Sequence, residues 1–152
     1  MTPQRSIAAV AVCLALFLTA ALGASSQAPK EAAKSKVLES LQGAWLITVA
    51  DGQDLAGSGQ EIYITITGNL YVQTVNGQVV ERGSFKLDET KKPITLDLAI
   101  TEGDDAGQSQ FGVMQLDGKT MYGKVTNPGV TARPTDFAPA EGYFTFTAVK
   151  KS

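Results

Sequence analysis

The sequence predicts an all-β domain, an antiparallel barrel of about eight strands behind one short N-terminal helix. Three observations carry that expectation. From Gly43 onward the apolar period is two, through AWLITVA, EIYITIT, LYVQTV, VVERGSFKL, ITLDLAIT, QFGVMQL, TMYGKVT and YFTFTAV, runs rich in β-branched and aromatic residues. Gly, Asn, Asp and Pro punctuate these runs. No stretch of helical period separates them, which argues an antiparallel sandwich or barrel.

The start of the chain is of another kind. Met1 to Ala28 holds one arginine, an apolar run from Ile7 to Leu22 and then small residues. That is the pattern of a secretory signal peptide, and the run is shorter than the roughly 20 apolar residues of a spanning helix. Cleavage is expected near Gly23 to Ser25, because a cut after Ala28 sets Pro29 just past the scissile bond. Cys13 lies inside the apolar run with no lipobox before it. The expected organisation is residues 1–24 as signal peptide, 25–36 as a flexible tether and 37–152 as the barrel domain. The expected location is outside the cytoplasm, periplasmic or secreted, with no transmembrane segment once the signal is removed.

The polar stretch SSQAPKEAAKSK predicts no fixed structure at its start. Ser35 then stands where an N-cap would, and Val37, Leu38 and Leu41 recur at helical spacing until Gly43 stops the pattern. One or two turns fit. Among the strands, Asn76-Gly77 signals a type I′ hairpin, setting Val75 opposite Gln78, Val72 opposite Glu81 and Tyr71 opposite Arg82. Leu70, Val72 and Thr74 then face inward with Val79 and Phe85. A three-residue loop Thr67-Gly68-Asn69 with Asn69 left-handed sets Ile62, Ile64 and Ile66 beside Thr74, Val72 and Leu70. Asp117-Gly118 sets Met114 opposite Met121 and Gly112 opposite Gly123, with Phe111, Val113 and Tyr122 on the other face.

Composition excludes several function classes. The chain has no histidine, and its one cysteine lies in the expected leader. Thiol proteases, Ser-His-Asp hydrolases and structural zinc modules therefore fall away. A mature chain of roughly 125 residues holds one core and must cohere by burial without disulfides. The 13 Lys+Arg and 15 Asp+Glu become 12 and 15 when Arg5 leaves with the signal, a net charge of −3. No basic stripe suits nucleic acid or an anionic membrane. No cofactor, metal or catalytic pair is implied, so no enzyme is expected.

The segments LQGAWLITVADGQDL, GSFKLDETKKPITLDLAITEGDDAG, FGVMQLDGKTMYGKV and ARPTDF carry the linked signatures LQG-x-W, KKP-x-T-x-DL, EG-x-D-x-G, LDG and RPT-x-F. In that order, from about Val37 to the C-terminus, they resemble a family of small exported lipocalin-like proteins, abundant in planctomycete bacteria and of uncharacterised function. Two departures stand out: a Cys frequent after the LDG hairpin is missing, and Ala132 replaces an acidic or polar residue before Arg133. The resemblance implies a lipocalin-like barrel of about eight strands, an N-terminal Gly-x-Trp and no established reaction.

The candidate ligand-binding residues are those assigned to the barrel interior: Trp45, Val72, Glu81, Phe85, Gly112, Met114, Met121, Gly123 and Phe146. The paired glycines Gly112 and Gly123 remove two inward side chains at one level and so leave room beside the two methionines; the alternative is that Trp45, Phe85 or Phe146 fills it. Glu81 shares parity with inward residues, and is either an acid aimed at a ligand or turned outward by a bulge at Gly83. Glu102-Gly103-Asp104-Asp105 lacks the spacing of a calcium loop and reads as a solvated turn, and Lys91-Lys92-Pro93 as a charged one. The long Pro-rich loop from Asn127 to Gly142 offers Arg133, Asp136 and Phe137 as candidate contact residues. Its structural reading folds it over Phe111, Val113 and Tyr122, with Arg133 tied to a carboxylate and Phe137 plugging the gap. Trp45 is expected to open the first strand and to lie under Lys150 at the end of the last. Two function classes stay open: a carrier of a small apolar or amphipathic ligand, and an envelope interaction module with a solid barrel and a protein partner.

Overall fold

The computed structural model describes residues 35–152. The expected signal peptide, its cleavage site, Cys13 and nearly all of the tether lie outside the described residues. Ser35 caps a six-residue helix, α1 (Lys36–Leu41), its hydroxyl accepting from the Leu38 amide at 2.9 Å. The same hydroxyl contacts Glu89, which ties the helix start to the barrel. Nine strands follow: β1 (Gly43–Ala50), β2 (Gln53–Asp54), β3 (Ile62–Thr67), β4 (Leu70–Val75), β5 (Gln78–Asp88), β6 (Ile94–Glu102), β7 (Ser109–Asp117), β8 (Thr120–Thr126) and β9 (Tyr143–Lys150).

All pairings are antiparallel, and the eight long strands run in chain order until β9 pairs back onto β1 and closes the barrel. This is the all-β architecture with one short helix that the alternating pattern predicts. Closure removes the free edges of a sheet this size. The weak place is the seam between β1 and β3, which pair only from Gly43 to Leu46. Beyond it β1 bulges at Thr48, and the two-residue β2 covers its edge instead.

Trp45 answers to its expected place. It is fully buried, its indole N–H donates to the Leu41 carbonyl at 2.7 Å, and its Cα partner across the closure is Lys150. The Lys150 ammonium stands 5.5 Å from the ring centroid and donates to the Ser40 carbonyl at 2.7 Å. Helix end, first strand and last strand are thus joined at one residue. Leu41, Ile47, Met114 and Ala148 complete the most deeply buried part of the core.

Three registers differ from expectation. The β3–β4 turn has two residues, Gly68-Asn69, with Gly68 left-handed at φ 61°, so Ile66 pairs with Tyr71 and Ile64 with Gln73. A glycine first in a two-residue turn is what a type II′ hairpin favours. This turns Tyr71 and Gln73 inward and Val72 outward, with Leu70 55% exposed. Val72 is therefore no interior residue. Asn76 and Gly77 form the expected left-handed pair, φ 49° and 79°, and Val75 meets Gln78. The next pairs, however, are Thr74 with Val79 and Gln73 with Glu81, so Val80 is an extra residue, a bulge. The bulge precedes Glu81 rather than falling at Gly83, and it shifts the pairing to Tyr71 with Gly83 and Val72 with Arg82. A second irregularity does lie beside Gly83, on β6, where Thr101 is skipped between Ile100 and Glu102.

The β7–β8 turn residues are Gly118-Lys119, not Asp117-Gly118, because Asp117 pairs with Thr120. That slips the register by two residues and keeps every side chain on its expected face. Met114 now meets Gly123, Leu116 meets Met121 and Gly112 meets Val125. The expected facing pair of glycines is not formed.

Candidate functional site

Eight strands enclose an interior that side chains just fill, or that holds one small molecule. Here they leave a cavity of about 300 Å³. Its lower part is apolar: Leu41 from α1, Ile66, Phe85, Leu96, Met114 and Met121. Val125, Ile64, Leu98, Phe144 and Phe146 line the middle, the last two stacked with centroids 5.9 Å apart. Four polar residues, Gln73, Glu81, Gln110 and Asn127, stand at the end opposite α1, where β4 and β8 finish and β5 and β7 begin. Asn127 is itself exposed, so the cavity meets solvent there.

The bulge at Val80 explains how an acid comes to face this interior. Without the extra residue, Glu81 and Phe85 would still share parity, but Glu81 would sit opposite Val72 as the turn alone dictates. With it, Glu81 lies beside Gln73 on the inner face. Gly103, at φ 119°, makes room for the displaced strand: a Cβ there would stand 2.7 Å from the Val80 carbonyl oxygen. Glu81 accepts a hydrogen bond from the Tyr71 hydroxyl at 2.7 Å. Tyr71 reaches it by lying over Gly83, where a Cβ would stand 2.6 Å from the ring. Burial first, and then the bond to Glu81 and its negative charge, push the Tyr71 hydroxyl well above its ordinary range. The phenol therefore stays protonated and acts as a donor.

Of the expected interior residues, Glu81, Phe85, Met114, Met121 and Phe146 line the cavity together. Trp45 lies outside the lining, packed into the closed end by Leu41 and Lys150. Val72 is on the outer face. Gly112 and Gly123 do point inward but create no joint space. A Cβ on Gly123 would run into the Phe146 ring, and one on Gly112 would stand 2.6 Å from the Lys124 carbonyl oxygen. Phe146, the cross-strand neighbour of Gly123, takes the room that the glycine leaves. The space for a ligand lies elsewhere, along the barrel axis between Ile64 and Ile66 of β3, Leu96 and Leu98 of β6 and Val125 of β8. Sequence reasoning missed Tyr71, Gln73, Gln110 and Asn127, the polar side chains of the lining besides Glu81, as well as the apolar Leu41, Ile64, Ile66, Leu96, Leu98, Val125 and Phe144. The signal was an even mixture of apolar residues at both parities of LYVQTV, which only the register resolves.

The Pro-rich loop adopts its structural reading. Arg133 donates through Nη1 to the Leu96 and Gly112 carbonyls, 2.9 Å each, pairs through Nη2 with Asp97, and lies 5.4 Å from the Phe111 centroid. Asp136 accepts from Lys124 Nζ at 2.8 Å and from the Ala138 amide at 3.1 Å, which hold its carboxyl below the ordinary carboxylate range, Lys124 the more strongly. Lys124 is 4% exposed and also stands 4.8 Å from the Tyr143 ring centroid. Val113 is buried beneath. Phe137 covers Tyr122 and Gly123 only in part, leaving a hollow of about 140 Å³ between them. All three candidate loop residues thus serve to pin the loop to the outside of the barrel. In the acidic turn, Glu102 pairs with Arg82 at 2.7 Å, and Lys91 and Lys92 are exposed.

No family model matches this chain, and no curated protein matches it either.

Proposed function

We propose that this chain is an exported, non-catalytic carrier that holds one small apolar or amphipathic molecule inside its barrel. The observation that supports this reading is the cavity of about 300 Å³, apolar at its closed end and polar at its mouth. An apolar cavity of about 150 Å³ is enough to bind benzene, and ligand pockets begin at about 300 Å³. The site therefore suits a molecule of one to three rings or a short acyl chain. A solid interior, the premise of the interaction module, has no support in this lining. Export is read from the Met1 to Ala28 pattern, and the lack of catalytic chemistry from the absence of histidine and of any cysteine in the described domain.

Uptake of N-phenyl-1-naphthylamine, a neutral fluorophore that brightens in apolar surroundings, tests the carrier reading. The wild type should bind it with one site. Ile64→Phe with Leu98→Trp, which fill the middle of the cavity, should weaken uptake at least about tenfold while the β-sheet circular dichroism persists. A wild type that takes up no fluorophore would overturn the reading and favour a protein partner. Fusion of residues 1–34 to a reporter active only outside the cytoplasm tests export.

A further inference from the structure

We infer that the molecule held in the cavity carries a cationic, hydrogen-bond-donating head, an amphipathic amine rather than a fatty carboxylate. This rests on the carrier reading and goes on to the chemistry of the head group. Among the described residues lining the cavity, Glu81 is the one that carries a charge. A carboxylate is an acceptor with room for several donors, and the protein supplies one, the Tyr71 hydroxyl at 2.7 Å. Among the described residues, the adjoining strands β4 and β6 carry no Lys or Arg, and the cations beside Glu81 in sequence and under the Pro-rich loop are turned away. Arg82 lies on the outer face in a pair with Glu102, and Lys124 is held outside by Asp136.

The amide side chains of Gln73, Gln110 and Asn127 at the mouth add carbonyl acceptors. The Gln110 amide gives one N–H to the Thr126 carbonyl at 2.8 Å and keeps its oxygen open as an acceptor. Glu81 and these amide oxygens can together meet the three donors of an ammonium. An apolar tail reaches from there toward Met114, Met121 and Leu41, and the head remains beside Glu81. A carboxylate head in the same place would meet a like charge on the half-buried Glu81. The charge is also built in rather than incidental, because the Val80 bulge and the close approach at Gly103 are what bring Glu81 to the inner face.

Displacement of bound N-phenyl-1-naphthylamine by octylamine, octanol and octanoate, at neutral pH and physiological salt, tests this. The amine should displace at least about tenfold better than the carboxylate, with the alcohol between them. Glu81→Gln, which keeps an acceptor for Tyr71, should bring amine and alcohol together and leave the alcohol unchanged. The wild-type series is decisive whether or not that variant folds. If octanoate displaces as well as octylamine, the head-group assignment is wrong and the carrier reading stands. If the fluorophore never binds, the carrier reading itself fails. An amine preference that survives intact in a folded Glu81→Gln protein would assign it to the net negative surface and overturn the role of Glu81.

Discussion

Replacing Trp45 by alanine tests whether the closed end of the barrel hangs on one side chain. The ring is fully buried, and an aromatic of this size buries about 150–250 Å². At about 25 cal/mol per Å² the transfer part alone is about 4–6 kcal/mol, an upper bound because the unfolded chain already hides some of it. The indole bond to the Leu41 carbonyl adds about 1 kcal/mol and the Lys150 ammonium over the ring about 0.5–2 kcal/mol. Partial collapse of the surroundings offsets part of the sum, so the expected loss is about 3–5 kcal/mol, the usual range for a buried Trp→Ala. Urea unfolding followed by circular dichroism measures it. Lys150→Met keeps the aliphatic stem and loses the charge, and a cycle with Trp45→Leu should give a coupling of about 0.5–1 kcal/mol. A Trp45→Ala protein within about 1 kcal/mol of wild type, or a native emission that acrylamide quenches as in the unfolded chain, would refute the argument.

Gly123→Leu should destabilise by about 1–3 kcal/mol, because the new side chain collides with Phe146; combining it with Phe146→Ala should recover much of that loss, again by urea titration. Arg133→Met should cost about 1.5–3 kcal/mol through the lost bonds to the Leu96 and Gly112 carbonyls, and limited proteolysis should cut first between residues 127 and 142. Asp136, lowered by Lys124, and Asp88, lowered by Thr90, hold folded values below their unfolded ones, so the stability they contribute is present above about pH 4 and lost on further acidification, readable as a falling melting temperature. Tyr71 has the opposite sign: its folded value lies above its unfolded one, so its contribution is full below about pH 10 and lost as pH rises beyond it. Absorbance titration should show one of the four tyrosines ionising only with unfolding.

The strand count, the helix cap at Ser35 and the Trp45–Lys150 contact were legible because each depends on short-range rules: alternation, capping and the adjacency of first and last strands in a closed sheet. The face of β4 was not. LYVQTV offers apolar residues at both parities, and counting aliphatics favoured Val72 over Tyr71. The buried tyrosine wins because its ring fills more of the interior and its hydroxyl finds Glu81, a partner that only the Val80 bulge delivers. The Gly112–Gly123 hole failed for a related reason. A two-residue slip keeps parity and so leaves no trace in the alternation, yet it moves Gly123 from Gly112 to Met114, while β9 sets Phe146 beside it. Arg133 was expected to hold a carboxylate, but nothing in its neighbourhood along the chain singles out Asp97, 36 positions away. A cavity is a difference between many volumes, and it appears only when all registers are known.

Both ends of the described chain lie at the helix end of the barrel. Ser35 touches Glu89 there, and the Lys151 amide donates to the Ala44 carbonyl at 2.9 Å. The cavity mouth is at the far end, framed by connections that carry no terminus. A tag or fused domain attached at either end therefore leaves the mouth clear. The same adjacency makes the molecule a candidate for circular permutation: a short linker from residue 152 to residue 35 would complete the ring, and new termini opened at Gly57-Ser58-Gly59 would interrupt none of the eight barrel strands. A permuted chain that folds and still takes up the fluorophore would carry its ends on the seam side, and a reporter placed there would sit beside β1 and β3.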